Sequence, residues 1–264
     1  MKAATQESFA STSLGNAGWG DLAKWQQEEK ERGRKYPISR WYIRPTAAWL
    51  ARMLAGSSVH PLQITCLGAC FAALSAVIML VWPTQLFPAA GCLLLAWECD
   101  RLDGLLARVQ QRCSTFGAWL DAQLDEVLDL GLHAALAYVY QTLTHDATIW
   151  YLLAAFFSGK YFLVHGLQQE SLLAKQISSA AKFRQHDQRN PEKSSALTLA
   201  DCLKAAYHVP ANADVRLHAL LAAMLVGYWQ PFGIWLELAC FAGYYQLRAA
   251  ARVGLLAWRE GQGE

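Results

Sequence analysis

Four aspartates fall within one 26-residue stretch, DRLDGLLARVQQRCSTFGAWLDAQLD, at spacings that put them on two helix faces. Asp100 and Asp103 stand at i and i+3, and Gly104 and Ala107 continue the same face. Gly117, Asp121 and Asp125 stand at i, i+4 and i+8, again one face. Only the short link Val109 to Phe116 separates the two sets, so a helical hairpin would bring the four carboxylates together. So many like charges repel one another unless a cation is bound among them. All-carboxylate oxygen ligation suits Mg²⁺, Mn²⁺ or Ca²⁺ rather than zinc. Gly104 and Ala107 leave their face open to a ligand or, alternatively, to close helix packing. Arg108 offers a planar fork that holds phosphate bidentately. An isolated acidic pair reads as a solvated helix end. Four acids on two faces, flanked by glycine and arginine, read as metal-dependent phosphate chemistry.

The elements that must position these residues are apolar. Of the 264 residues 54% are hydrophobic and 17% charged, against about 25% charged in a typical soluble domain. That composition excludes a disordered chain, a collagen-like repeat and a nucleic-acid-binding tail, and a net charge of +2 gives no ground for a polyanionic partner. A membrane-spanning helix needs about 20 mostly apolar residues. Leu62 to Trp82 carries no charge and is the clearest span. Leu86 to Trp97 runs straight into Glu98, Asp100, Arg101 and Asp103, whereas Trp119 to Leu143 begins with its acids and then turns apolar. Ala147 to Leu167 is interrupted by Lys160, and Val215 to Trp229 is followed by Phe232 to roughly Ala251. The pattern predicts an all-α integral membrane protein with six transmembrane helices.

Basic residues give the orientation. Nine of the 23 Lys and Arg precede Pro61, three lie between Arg101 and Arg112, seven between Lys175 and Arg216, and three from Arg248 onward. The opposite connections, near Pro83 to Gln85, Thr144 to Asp146 and Gln230 to Pro231, contain none. By the positive-inside rule both termini, both long loops and the acidic cluster are cytoplasmic, in a multi-pass protein of the cell (inner) membrane. Trp82, Trp119, Trp150 and Trp229 fall at span ends, as an aromatic belt requires.

Residues 1–35 read as a polar, loosely ordered tail. Residues 36–60 read as an interfacial amphipathic helix, because Tyr36 to Ala55 mixes Arg40, Arg44 and Arg52 with Trp41, Tyr42, Ile43, Trp49 and Leu50. A soluble helix packed on the bundle is the alternative. Pro45 kinks or restarts that helix, and Ser57, Ser58 and Pro61 supply cap-and-start chemistry for the first span. Residues 61–252 form the six-helix domain and 253–264 a cytoplasmic C-terminal tail. Seven cysteines without a C-x-x-C pair, mostly in apolar sequence, read as free thiols packed like small apolar groups.

Asp100, Asp103, Gly104, Ala107, Arg108, Gly117, Asp121 and Asp125 reproduce the pattern D-x2-D-G-x2-A-R-x8-G-x3-D-x3-D without a departure. The chain thus resembles the CDP-alcohol phosphotransferase (CDP-alcohol phosphatidyltransferase) family, integral membrane enzymes of phospholipid synthesis. Ser39 to Thr65 is similar to that family's basic interfacial helix followed by Pro-x-x-x-Thr, and the six-span layout agrees. His60 stands where a threonine is usual, and Glu126 where a basic residue is frequent. The resemblance implies transfer of a phosphatidyl group from CDP-diacylglycerol to an acceptor hydroxyl, with release of CMP. It implies that Asp100, Asp103 and Asp121 ligate one or two divalent ions, Mg²⁺ or Mn²⁺. Asp125 would complete that cluster and serve as the base. Gly104 and Arg108 would contact the CDP moiety, with Ser114 and the segment Pro61 to Ile64 beside them. Members are commonly homodimers.

The acceptor is read from three basic groups. Lys160 lies inside the fourth span, Arg216 begins the fifth and Arg248 lies near the end of the sixth. Facing one cavity, they suit a phosphorylated acceptor such as an inositol phosphate or glycerol phosphate. In the alternative, Lys160 pairs with Asp129 while Arg216 and Arg248 snorkel to the interface. Asp214-Val215-Arg216-Leu217 resembles members that make inositol-phosphate lipids. His165, His186 and His208 offer no ligand spacing. Three functions fit: a phosphatidyltransferase with a small polar alcohol acceptor, a CDP-choline or CDP-ethanolamine transferase acting on diacylglycerol, and a non-enzymatic divalent-cation carrier. The last predicts acids near the bilayer midplane in broken helices.

Overall fold

The computed structural model describes residues 38–181 and 209–261. The predicted tail 1–35, the start of the interfacial stretch, Cys202, His186, His208 and residues 262–264 lie outside them. Seven α-helices and no strand occur among the described residues: α1 (Ile43–Leu54), α2 (Pro61–Val81), α3 (Leu86–Val109), α4 (Thr115–Thr144), α5 (Ile149–Ala181), α6 (Ala213–Gly227) and α7 (Phe232–Gly261). The six predicted apolar segments lie within helices to within two residues at their ends. Among the described residues only α2 is long and apolar enough to cross a membrane by itself, and 28% of that apolar stretch is buried within the protein. The others carry ionisable residues along one end, such as Asp121, Asp125, Glu126 and Asp129 in α4, or are short, as is the 15-residue α6.

Pro45 lies in the first turn of α1, where its missing N–H has no intrahelical partner to lose, so it starts the helix rather than kinking it. Ile43, Ala47 and Ala51 bury one face of α1 while Trp49 and Met53 are exposed on another. The buried face packs on α3. A preceding 3-10 turn, Ser39–Trp41, is held from afar, since the backbone N–H groups of Ile38 and Ser39 donate to the buried Asp214 carboxylate at 2.7 and 3.2 Å.

The cap of α2 corrects the expectation placed on Ser57 and Ser58. His60 is the N-cap: its Nδ1 accepts from the Leu62 N–H at 3.2 Å, and Gln63 Oε1 accepts from the His60 N–H at 2.9 Å. Ser57 instead closes α1, donating to Leu54 O at 2.8 Å. His60 thus does the work of a cap with an imidazole nitrogen.

Helix pairs approach closely where side chains vanish. A Cβ on Gly68 of α2 would stand 3.0 Å from Cys99 Cβ of α3, and one on Gly159 of α5 would stand 2.9 Å from the Tyr245 backbone of α7. Ser75 reinforces the α2–α3 contact by donating to Ala89 O at 2.8 Å. Leu86, Leu93, Leu136, Phe156, Leu220, Met224 and Leu238 form the main core across α3 to α7. The described cysteines are all free, as expected, but only Cys99 is buried; Cys66, Cys70, Cys113 and Cys240 are exposed. Apolar sequence around a cysteine does not fix which face of its helix turns inward.

Candidate active site

The hairpin of α3 and α4 forms as the spacing predicts. α3 ends at Gln110, whose side-chain amide donates to Val59 O at 3.1 Å and so ties the α1–α2 link to the hairpin's base. α4 starts at Ser114, whose Oγ accepts from the Gly117 N–H at 2.9 Å. A Cβ on Gly117 would sit 2.9 Å from that oxygen, so the motif glycine makes room for the cap.

Inside the hairpin, carboxylate oxygens of Asp100, Asp121 and Asp125 all lie within 4.8 Å of one another. They line a cavity of about 310 Å³ between α2, α3, α4 and α6. Asp103 lines it too, buried, and Thr65 Oγ1 of α2 donates to its Oδ2. Arg101 also faces the cavity, its Nε 3.5 Å from Asp100 Oδ2. Three converging hard oxygen donors with no sulfur or imidazole among them fit a divalent oxygen-loving cation. The residues present therefore suit the ion the sequence implied, with Asp100, Asp121 and Asp125 as the convergent set and Asp103 anchored beside it.

Of the other residues singled out by sequence, Arg216 lines the cavity, whereas Gly104, Arg108, Ser114, Lys160 and Arg248 stand outside its wall. Gly104 and Arg108 face each other one turn further along α3. Arg216 Nη1 donates to the Tyr245 hydroxyl at 3.0 Å, and its Nη2 lies 3.7 Å from Asp129 Oδ2. Arg248 Nη1 donates to the Tyr244 hydroxyl at 2.6 Å. Lys160 is buried to the tip of its chain and donates from Nζ to Glu126 Oε2 and Asp129 Oδ2, both at 2.6 Å. His133, one α4 turn beyond Asp129, donates from Nδ1 to the Asp129 carbonyl at 2.7 Å, while its Nε2 lies 3.3 Å from Glu237 Oε1 of α7. Thus Asp121, Asp125, Asp129 and His133, each four residues after the last, run from the cavity into an ion network joining α4 to α5, α6 and α7.

A second tether adjoins the cavity. His218 of α6 donates from Nδ1 to Asp214 O at 2.6 Å, which leaves its Nε2 to accept from the Tyr42 hydroxyl at 2.6 Å. The same imidazole meets Trp97, a cavity residue, edge-on at 4.7 Å between ring centres. Thr65, Arg101, Trp97 and the Asp214–His218–Tyr42 chain were not singled out as site residues by sequence. Thr65 and Asp214 carried a signal there, the one as the last position of Pro-x-x-x-Thr and the other as the start of Asp214-Val215-Arg216-Leu217.

The profile of the CDP-alcohol phosphatidyltransferase family matches residues 58–239, which span every helix lining the cavity. The chain belongs to that family. The family is membrane-embedded, and its members are transferases of substituted phosphate groups. A bifunctional IPC transferase and DIPP synthase of Aquifex aeolicus (strain VF5) is 48% identical over 52 residues, 19% of this chain and 12% of the relative. The chain therefore matches only a small part of that relative's length.

Proposed function

We propose that this family member is a phosphatidyltransferase that moves a phosphatidyl group from CDP-diacylglycerol to the hydroxyl of a small polar alcohol, free or phosphorylated, releasing CMP. The observation that carries the reading is the convergence of Asp100, Asp121 and Asp125 in a cavity that Arg216 also lines. Carboxylates and a guanidinium in one cavity suit a substrate that carries both a metal-chelating pyrophosphate and a separate polar acceptor.

Asp100, Asp103, Asp121 and Asp125 hold one or two divalent ions, Mg²⁺ or Mn²⁺. Such an ion, when bound, offsets the charge that develops on the departing CMP phosphate. Gly104, Arg108 and Ser114 contact the CDP portion from the cytoplasmic side of α3 and the α3–α4 link. Asp125 accepts the acceptor's hydroxyl proton on a carboxylate oxygen. The freed oxygen bonds to the phosphatidyl phosphorus as the bond from that phosphorus to the CMP oxygen breaks. Arg216 binds the acceptor in the cavity, and Lys160 and Arg248, behind its wall, orient that binding surface through the side chains that hold them. Six helices, α2 to α7, cross the inner membrane with both termini and the site cytoplasmic, α1 lies in the interface and two copies pair. The basic-residue asymmetry and the exposed Leu67, Leu74, Val77 and Leu80 of α2 support that placement.

The test is CMP release from CDP-diacylglycerol by the full-length protein in detergent with Mg²⁺ or Mn²⁺, supplied with one acceptor at a time: myo-inositol 1-phosphate, glycerol 3-phosphate, serine, inositol or glycerol. CMP appears with one acceptor class and stops when EDTA is added. Activity that survives EDTA removes the metal from the reading, and no CMP with any acceptor overturns the donor assignment.

A further inference from the structure

Glu126 follows the last motif aspartate directly and lies where α4 meets α5, beside the cavity. Its Oε2 accepts a hydrogen bond from the Lys160 ammonium at 2.6 Å, and Asp129 Oδ2 accepts another at the same distance. Glu126 and Asp129 both line the cavity, and Lys160 does not. The Lys160 side chain is 2% exposed and that of Glu126 41%. The carboxylate thus stands between the ammonium and the cavity, with the Phe157 and Tyr161 rings 5.4 and 5.7 Å from Nζ on other sides. Asp129 is meanwhile shared with Arg216 at 3.7 Å. In this wall two carboxylates answer two cations, so Arg216 is the only one of the pair that presents its charge to the cavity.

We propose that Glu126 is a specificity-determining residue: by holding Lys160 off the cavity it lowers the affinity of the acceptor pocket for an anionic alcohol relative to the matching neutral one. The inference rests on the transfer reading above and deepens it. Removing the Glu126 charge leaves Lys160 anchored on Asp129 alone, with a donor free to turn toward the cavity. An unscreened cation in a partly buried wall favours a phosphate far more than an uncharged hydroxyl.

The experiment compares acceptor pairs that differ only by a phosphate: glycerol with glycerol 3-phosphate, and myo-inositol with myo-inositol 1-phosphate. For each pair, the ratio of kcat/KM for the phosphorylated to the free alcohol is read from CMP release. In Glu126→Gln that ratio rises by about fivefold or more, through KM of the phosphorylated acceptor. The rise disappears in Glu126→Gln combined with Lys160→Met, because the responding cation is gone. Glu126→Ala removes the same charge and serves if the glutamine variant assembles poorly. An unchanged ratio, or a rise that persists without Lys160, overturns the proposal. A wild-type protein that releases no CMP with any acceptor overturns the transfer reading itself, and the proposal with it.

Discussion

At the level of single residues, the four motif aspartates are not equivalent. Asp100, Asp121 and Asp125 converge on one another, while Asp103 is anchored by the Thr65 hydroxyl. Asp125→Asn keeps the shape but cannot take a proton. CMP release is expected to fall by at least about 100-fold, while Mn²⁺ binding, followed by electron paramagnetic resonance, persists on Asp100 and Asp121. Turnover near the wild-type rate would remove Asp125 as the base. Thr65→Val keeps the volume and deletes the donor to Asp103. A ligand loosened in this way typically costs about 10- to 100-fold in metal affinity, so the Mn²⁺ concentration for half-maximal activity should rise by that order. An unchanged metal requirement would separate Asp103 from the ion. The acids were legible in sequence because helical periodicity alone puts them on two faces of one hairpin. Their cationic counterparts were not legible to the same degree. Lys160 and Arg216 meet at Asp129 only because α5 and α6 pack beside α4, and local spacing carries no record of that arrangement.

At the level of elements, composition located the apolar spans, and the helices extend beyond them. The apolar run Leu86 to Trp97 is half of the 24-residue α3, because a helix continues through Glu98, Asp100 and Arg101 once its backbone bonds are satisfied and a polar cavity receives the Asp100 and Arg101 side chains. α7 likewise continues beyond its apolar segment, from Phe232 to Gly261. Packing between helices lay further beyond reach. Gly159 reads as one more small residue in an apolar span, yet an added Cβ would meet Tyr245 C at 2.9 Å and Gln246 N at 3.0 Å. Both are backbone atoms that cannot rotate away, so α5 and α7 must separate. Gly159→Ala should cost about 1–3 kcal/mol and lower the temperature of thermal inactivation in detergent. Gly166→Ala, on the same helix with open space around it, is the control and should leave that temperature unchanged or raise it. Equal behaviour of the two variants would mean that the α5–α7 approach is not tight.

For the whole molecule, the length of α4 relates the site to the bilayer. Its 30 residues extend about 45 Å at 1.5 Å per residue, against a hydrocarbon core about 30 Å thick. Asp125 lies 19 residues before Thr144, or about 29 Å along the helix from its far end. If that far end emerges on one side, the carboxylates sit at the opposite edge of the hydrocarbon, not at its midplane. There a soluble CDP head and an acyl tail can occupy the site together. A carrier needs its acids near the centre of broken helices, whereas α3 and α4 run unbroken past all four. The arrangement is testable with two single-cysteine proteins otherwise free of cysteine. One keeps Cys113 in the α3–α4 link, and the other carries Ala147→Cys in the α4–α5 link; both positions are exposed. In intact cells whose inner membrane alone bars the reagent, an impermeant maleimide should label position 147 at once and Cys113 only after permeabilisation. Labelling of Cys113 from outside would turn the carboxylates, and the basic loops on their side, to the outer face, against the positive-inside rule. It would also deny the site its supply of cytoplasmic nucleotide, so orientation and chemistry stand or fall together.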